Sequence, residues 1–210
     1  MFTVILTFVP SILILSYFIL NDKFKEPIGS IILIFFLGFL ICLPAGILNG
    51  LSDDFFFKKL NYSEDLTVSF LGPAMDGLVY GVTVSLGFAT YENYTYVYEW
   101  AVTIAKDENF SAEAFSYLVA LGRSYSAIPL HGFNGAVMGY YFGMYAFTGN
   151  KNYLALSLAL PYLFHGFYNY LSFPNSMVIV VILVIFSIYL HNDLKKKQKL
   201  KQKEKEQIKI

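Results

Sequence analysis

The N-terminal run most restricts what this chain can fold into, because its first twenty residues contain no charged side chain. A helix of twenty residues rises about 30 Å, which is the thickness of the hydrocarbon core of a bilayer. A secretory signal peptide would begin with basic residues and end with small residues at a cleavage site. Residues 1–20 show neither feature. We therefore expect a retained membrane-spanning helix.

Similar apolar runs recur along the chain, and 56% of the residues are hydrophobic against 14% charged. Both values depart from those of soluble domains in the direction of membrane proteins. No period of 20–50 residues repeats, which argues against a repeat array. The sequence predicts an all-α, polytopic integral membrane bundle of six to eight helices, formed by a single domain over residues 1–190. The later runs are 28–51, 66–105 (too long for one span), 112–147 (a short helix and then a span), 154–173 and 177–190.

Residues 191–210 form a Lys-rich tail. The tail holds eight lysines against Asp193, Glu204 and Glu206, whereas the whole chain has no net charge. Basic residues beside membrane helices stay in the cytoplasm, so we expect the tail to be cytoplasmic. So short a run without interleaved aromatic residues does not favour nucleic-acid binding. A single cysteine, Cys42, excludes an intrachain disulfide and a cysteine-based zinc cluster.

The ionisable residues that we interpret as lying within the membrane are Asp76, Glu92, Arg123, His131 and His165. An acidic or basic side chain at the centre of a membrane helix costs about 2.5–3.5 kcal/mol on insertion scales. Such residues therefore mark a functional site or a polar contact between helices, and both interpretations stay open for this set.

The spacing around the two histidines favours a site. His131 is followed by glycines at 135, 139 and 143, and four-residue spacing places small residues on the helix face where a neighbouring backbone approaches. His131 therefore points into the bundle. His165 and Asn169 are also four residues apart and share a face. Counted from the polar turn at 148–152, the two histidines lie about 25 Å and 20 Å along antiparallel helices, so we expect them at similar depth.

Glu92 is the better carboxylate partner for the histidines. Asp76 and Glu92 are sixteen residues apart, so on one straight helix they would lie about 24 Å apart and point in nearly opposite directions. They cannot serve one site unless the helix breaks. Asp76, followed by Gly77 and Gly81, is more typical of a membrane boundary.

At these residues the sequence resembles the PrsW family of intramembrane proteases, which is related to the CAAX-prenyl proteases. The resemblance covers roughly residues 70–170. It implies a polytopic helical enzyme with His131, His165 and Asn169 at family active-site positions and Glu92 at a family motif position. The segments that carry it are Asp76–Gly81, Gly87–Asn93 with Tyr96, Arg123 with Pro129 and His131, and His165 with Asn169.

One family motif has no counterpart here. The family pattern includes Glu-Glu-x-x-Lys on a helix before the Asp-Gly segment, and in related proteases that acidic pair activates the attacking water. Neither Glu64-Asp65 nor Asp53-Asp54 is followed by Lys at the required position. The sequence runs from Gly72 into Pro73 as if a helix between them were lost.

The resemblance implies a bacterial cell-membrane protease that cuts a single-span membrane protein, as the type member cuts an anti-sigma factor. Glu92 and His131 would handle the water, and His165 with Asn169 would hold the oxyanion. No cofactor is firmly implied; zinc is an alternative, with Glu92, His131 and His165 as ligands. The rival functions are a catalytically impaired homologue that binds membrane helices and a small transporter. The absence of inverted repeats argues against the transporter.

Overall fold

The computed structural model describes residues 2–21, 28–53 and 81–207, and these are almost entirely helical. The predicted all-α class is therefore confirmed. The helices are α1 (Phe2–Asn21), α2 (Ile28–Asp53), α3 (Gly81–Tyr94), a π-helical segment (Thr95–Trp100), α4 (Ala101–Asp107), α5 (Ala112–Tyr125), α6 (Ala127–Thr148), α7 (Lys151–Tyr170) and α8 (Ser176–Gln207). Asp76, the junction of Gly72 with Pro73 and both candidate acidic pairs (53–54 and 64–65) fall wholly or partly outside the described residues.

Two of the helices in the described ranges are long and apolar enough to cross a membrane, over Phe2–Leu20 and Ser176–Asp193. Many of their large apolar side chains are exposed; for example, Leu13 and Ile185 are 64% and 63% exposed. So much contiguous apolar surface is unfavourable in water and favourable against lipid. The number of spans, six to eight, stays a prediction.

Helices α3 and α6 form the centre of the bundle. Helix α3 packs against α1, α2 and α6, and α6 packs in turn against α7 and α8. Glycines make the contacts of α3 close: a Cβ at Gly81 would meet the Gly135 carbonyl on α6, and one at Gly87 would meet the Phe35 carbonyl on α2. Small residues at crossings let two backbones approach in the same way as in other membrane bundles.

Local sequence explains the turn between α6 and α7. Gly149 has a φ of 69°, a left-handed conformation that glycine adopts without a steric penalty, and it ends α6. Asn150 follows as the N-cap of α7, and its side-chain oxygen accepts a hydrogen bond from the Asn152 backbone N–H at 3.0 Å. The polar turn predicted at 148–152 is thus confirmed.

Ser126 alone separates α5 from α6. Its hydroxyl donates to the Gly122 carbonyl, and its own carbonyl accepts from the Leu130 N–H at 2.9 Å. Pro129 lies in the first turn of α6, where its missing N–H breaks no helical hydrogen bond. The break predicted between Arg123 and Pro129 is therefore present, and it places the end of α5 beside the start of α6.

Candidate active site

Glu92 and His131 form a contact at the centre of the bundle. Glu92 lies near the end of α3 and His131 in the second turn of α6, and Glu92 Oε2 is 3.1 Å from His131 Nε2. His131 is 1% exposed. Ser85, two turns before Glu92, donates a hydrogen bond of 2.7 Å to the His131 backbone carbonyl. The Ser85 bond fixes the height of α6 against α3 and so the height of the imidazole against the carboxylate.

Arg123, in the last turn of α5, bonds the same carboxylate oxygen of Glu92. Its Nη2 donates to Glu92 Oε2 at 2.6 Å, and its Nε donates to Asn93 Oδ1 at 2.8 Å. The guanidinium also lies over the Tyr96 ring, 4.1 Å from the ring centroid. The rigid fork of an arginine can make these bonds at once, which a lysine cannot. Glu92 is therefore oriented by two partners, Arg123 and His131.

Asn93 connects this cluster to the first helix. It is fully buried, and its Nδ2 donates to the Thr7 carbonyl of α1 at 2.9 Å. Because its Oδ1 accepts from Arg123, one amide joins α1 to α5 across α3. The orientation of Glu92 thus depends on α1 as well as on the helices that carry the charged residues.

His165, on α7, lies against His131. The two ring centroids are 4.9 Å apart at an interplanar angle of 67°, and His165 is 7% exposed. Phe88 contacts the His131 ring as well, at 5.5 Å between centroids. The comparison of helix depths predicted that the histidines would be neighbours. The structure brings together Glu92, His131 and His165 from three different helices.

Asn169 lies one turn beyond His165 and is exposed near the end of α7. The structure therefore does not bring it into the buried cluster with the other three predicted residues. An exposed position one turn from His165 leaves its amide available to a molecule that binds beside the cluster.

The donors proposed for zinc are of suitable type, since zinc takes histidine nitrogens and carboxylate oxygens. Their arrangement does not fit a three-ligand centre. Glu92 Oε2 is already bonded to the Arg123 cation and to His131. Within residues 2–21, 28–53 and 81–207, no three His, Cys, Asp or Glu side chains are arranged to hold one metal ion. The observed arrangement is a charge-paired carboxylate beside two imidazoles.

Sequence reasoning found Arg123 as a charge within the membrane but missed its partners. A cation in an apolar run needs a carboxylate nearby, so the signal was present. Asn93 carried no such signal, because its partners lie on α1 and α5, 86 and 30 residues away in the chain.

Comparison with known proteins supports the resemblance to the PrsW family. A family model described as "PrsW family intramembrane metalloprotease" matches residues 66–191. A Clostridioides difficile protein named Protease PrsW is 31% identical over 120 residues, which is 55% of this chain and 46% of that protein. Proteins of the same name from Bacillus subtilis and Oceanobacillus iheyensis are 30% and 29% identical, each over 77% of this chain and over 78% and 79% of their own lengths. No solved structure matches the chain.

The Bacillus subtilis alignment also contains positions that this chain lacks. It runs over 187 positions but covers 77% of the 210 residues here, about 162, so about 25 aligned positions have no counterpart in this chain. The family match spans α3 to α7 and the first half of α8, which includes every helix that contributes a charged or imidazole side chain to the cluster. On this match and on the similarity to the Bacillus subtilis protein, the chain belongs to the PrsW family of intramembrane proteases.

Proposed function

We propose that the chain hydrolyses a peptide bond in a single-span membrane protein, with Glu92, His131, His165 and Asn169 as its catalytic residues. The observation that carries the proposal is the buried contact between the Glu92 carboxylate and the His131 imidazole, with His165 against the same ring. A carboxylate paired with a histidine is a common arrangement for taking a proton from water.

In this mechanism Glu92 and His131 activate the water. Arg123 holds the carboxylate in one orientation, and Ser85 holds the backbone of His131. The water would lie beside Nε2 and Oε2, give up its proton to the pair and attack the scissile carbonyl. The same pair then returns the proton to the leaving amine.

His165 and Asn169 stabilise the oxyanion in this proposal. An oxyanion donor is typically worth about 10²–10³ in rate. His165 is close enough to His131 for a substrate carbonyl to contact both rings, and Asn169 approaches from the exposed end of α7.

We expect hydrolysis to be slow, because the chain lacks the Glu-Glu-x-x-Lys motif. Removing a general base costs about 10²–10⁴ in rate, or about 3–5 kcal/mol of transition-state stabilisation. About 25 positions of the Bacillus subtilis alignment have no counterpart in this chain, which supports the loss of a segment. The motif's absence and the Arg123 ion pair on Glu92 also support the second candidate function, an impaired homologue that binds membrane helices.

The environment of the site supports a substrate that lies in the bilayer. The cluster lies among helices with exposed apolar faces, so its substrate arrives through the bilayer. We propose a membrane-anchored protein of the anti-sigma-factor kind, in a bacterial cell membrane.

The test is cleavage of a single-span reporter by the purified protein in lipid nanodiscs, with and without a chelator. We expect slow cleavage that Glu92→Gln and His131→Gln abolish. Glu99→Gln is the matched control, because Glu99 is exposed on the same continuous helix. A chelator that stops cleavage would refute the metal-free mechanism proposed for Glu92 and His131. Equal cleavage by the Glu92→Gln variant would refute the proposed role of Glu92.

A second measurement distinguishes a slow protease from a homologue without activity. A helix bearing Glu-Glu-x-x-Lys, inserted between Gly72 and Pro73, should raise the rate. If the present chain already cleaves as fast as the extended one and Glu92→Gln abolishes the activity, then Glu92 suffices as the base.

A further inference from the structure

Asn134 is a buried amide without hydrogen bonds to the residues that the structure describes. It lies on α6 three residues after His131 and is 3% exposed. In the part of the chain that the structure describes, neither its Oδ1 nor its Nδ2 has a hydrogen-bond partner. Buried polar atoms are bonded in the great majority of cases, because an unpaired one loses its hydration without compensation. The presence of an unpaired amide at this buried position therefore calls for an explanation.

A second buried asparagine shows that the same bundle can satisfy an amide. Asn93 is 0% exposed, and it uses both ends of its side chain, donating to the Thr7 carbonyl and accepting from Arg123. Asn93 and Asn134 are the same residue type at nearly the same burial. They differ in that the fold supplies partners for Asn93 and none, within the described residues, for Asn134.

The position of Asn134 places it beside the candidate active site. Residues three apart on a helix are neighbours, with Cβ atoms about 5–6 Å apart. Asn134 therefore lies on the side of α6 that carries His131, next to Gly135, where the α3 backbone comes close. An amide one helical turn from His131 is placed to contact a molecule that binds there.

We infer that Asn134 binds the backbone of the substrate, pairing with a peptide group next to the bond to be cut. This inference rests on the proposed function. A peptide bond within a helix is shielded by its helical hydrogen bonds, so a substrate must unwind locally before water can attack it. Unwinding exposes a C=O and an N–H where no bulk water can satisfy them. The Asn134 amide offers one donor group and one acceptor and so complements a peptide group on both counts.

The first test measures stability in the absence of substrate, comparing Asn134→Leu with Asn93→Leu. Leu branches at Cγ like Asn but needs no hydrogen bonds. We expect Asn134→Leu to keep or raise the melting temperature in nanodiscs, and Asn93→Leu to lower it by several degrees, since about 2–4 °C corresponds to one lost hydrogen bond in a chain of this size. If both variants melt equally far below the wild type, the protein itself holds Asn134 and the inference is wrong.

The second test measures binding with two lysine-flanked synthetic peptides of twenty apolar residues. One has Gly-Gly at its centre and unwinds easily; the other has Leu-Leu and does not. We expect the wild type to bind the Gly-Gly peptide more tightly, and Asn134→Leu and Asn134→Ala to weaken that binding about two- to tenfold while leaving the Leu-Leu peptide unaffected. Unchanged affinity in both variants, or no binding to the wild type, would overturn the inference.

Cleavage of the same peptides separates this inference from the proposed function. Binding that depends on Asn134, without cleavage, would support the inference and refute the proposed protease function. Cleavage at an equal rate in Asn134→Leu would support the protease function and refute the inference.

Discussion

Arg123 and Glu92 form an ion pair beside the histidines. Each partly buried charge is stabilised by the other. Replacing Arg123 by Gln leaves Glu92 partly buried without its cation. Breaking a buried pair on one side costs about 3–5 kcal/mol. The side chains of Arg123 and Glu92 retain 16% and 24% exposure, so we expect about 3 kcal/mol or less, measured by unfolding in mixed micelles.

Two controls test whether that loss of stability comes from the interaction between Arg123 and Glu92. Arg123→Lys keeps the charge but cannot bond Glu92 and Asn93 together, so its loss should be intermediate. The double variant Arg123→Gln/Glu92→Gln should lose less than the sum of the single losses, because residues in contact are not additive. Strict additivity would mean that the two charges do not stabilise each other.

His165 is buried and Asn169 is exposed, and this difference gives a second prediction. His165→Ala should lower the cleavage rate about 10²–10³-fold, as loss of an oxyanion donor does, and should also lower the melting temperature because its ring packs on His131. Asn169→Ala should lower the rate by less than tenfold and leave stability unchanged, since Asn169 is exposed. A larger loss from Asn169→Ala than from His165→Ala would reverse their roles.

Part of this cluster could be predicted from the sequence. Spacing on one helix gives the direction and depth of a side chain, and for His131 and His165 that was enough to predict neighbours. It does not say which helix stands opposite. The pairing of Arg123 with Glu92 and the bonds of Asn93 depend on how α1, α3 and α5 pack, so they were not predicted.

At the scale of helices, the glycines after His131 are not equivalent. A Cβ at Gly135 would meet the backbone of Gly81, whereas Gly139 has ordinary contact distances and Gly143 has nothing within 4 Å. Gly135→Ala should therefore destabilise the protein by about 1–3 kcal/mol. Gly143→Ala should stabilise it by about 0.5–1 kcal/mol, because alanine is the better helix former. Thermal unfolding of the two variants checks this, and equal effects would contradict the close contact at Gly135.

Helix ends were easier to predict than helix interiors. Gly149 and Asn150 carry capping chemistry that is readable from residue type, and the turn between α6 and α7 lies where they predict it. The π-helical segment at Thr95–Trp100 has no such signature, because an extra residue in a turn changes the hydrogen-bond pattern and not the composition.

At the scale of the whole molecule, orientation in the membrane is a prediction from charge. A reporter fused after Ile210 should be cytoplasmic because of the Lys excess in the tail. A reporter in the 174–176 linker between α7 and α8 should lie outside. Reporters on the same side would show that α8 does not cross the membrane. The proposed boundary between domain and tail at residue 190 falls inside α8, which continues without a break to Gln207.

The bond between Asn93 and Thr7 has a consequence for the order in which the molecule is made. The Thr7 carbonyl leaves the ribosome 86 residues before the amide that binds it, and Glu92 enters the membrane 31 residues ahead of Arg123 and 39 ahead of His131. A nascent chain halted after α4 therefore carries the carboxylate without either of its partners. The buried cluster can assemble only once α7 has been synthesised, so under the proposed function an unfinished chain would not yet cleave the membrane proteins inserted beside it.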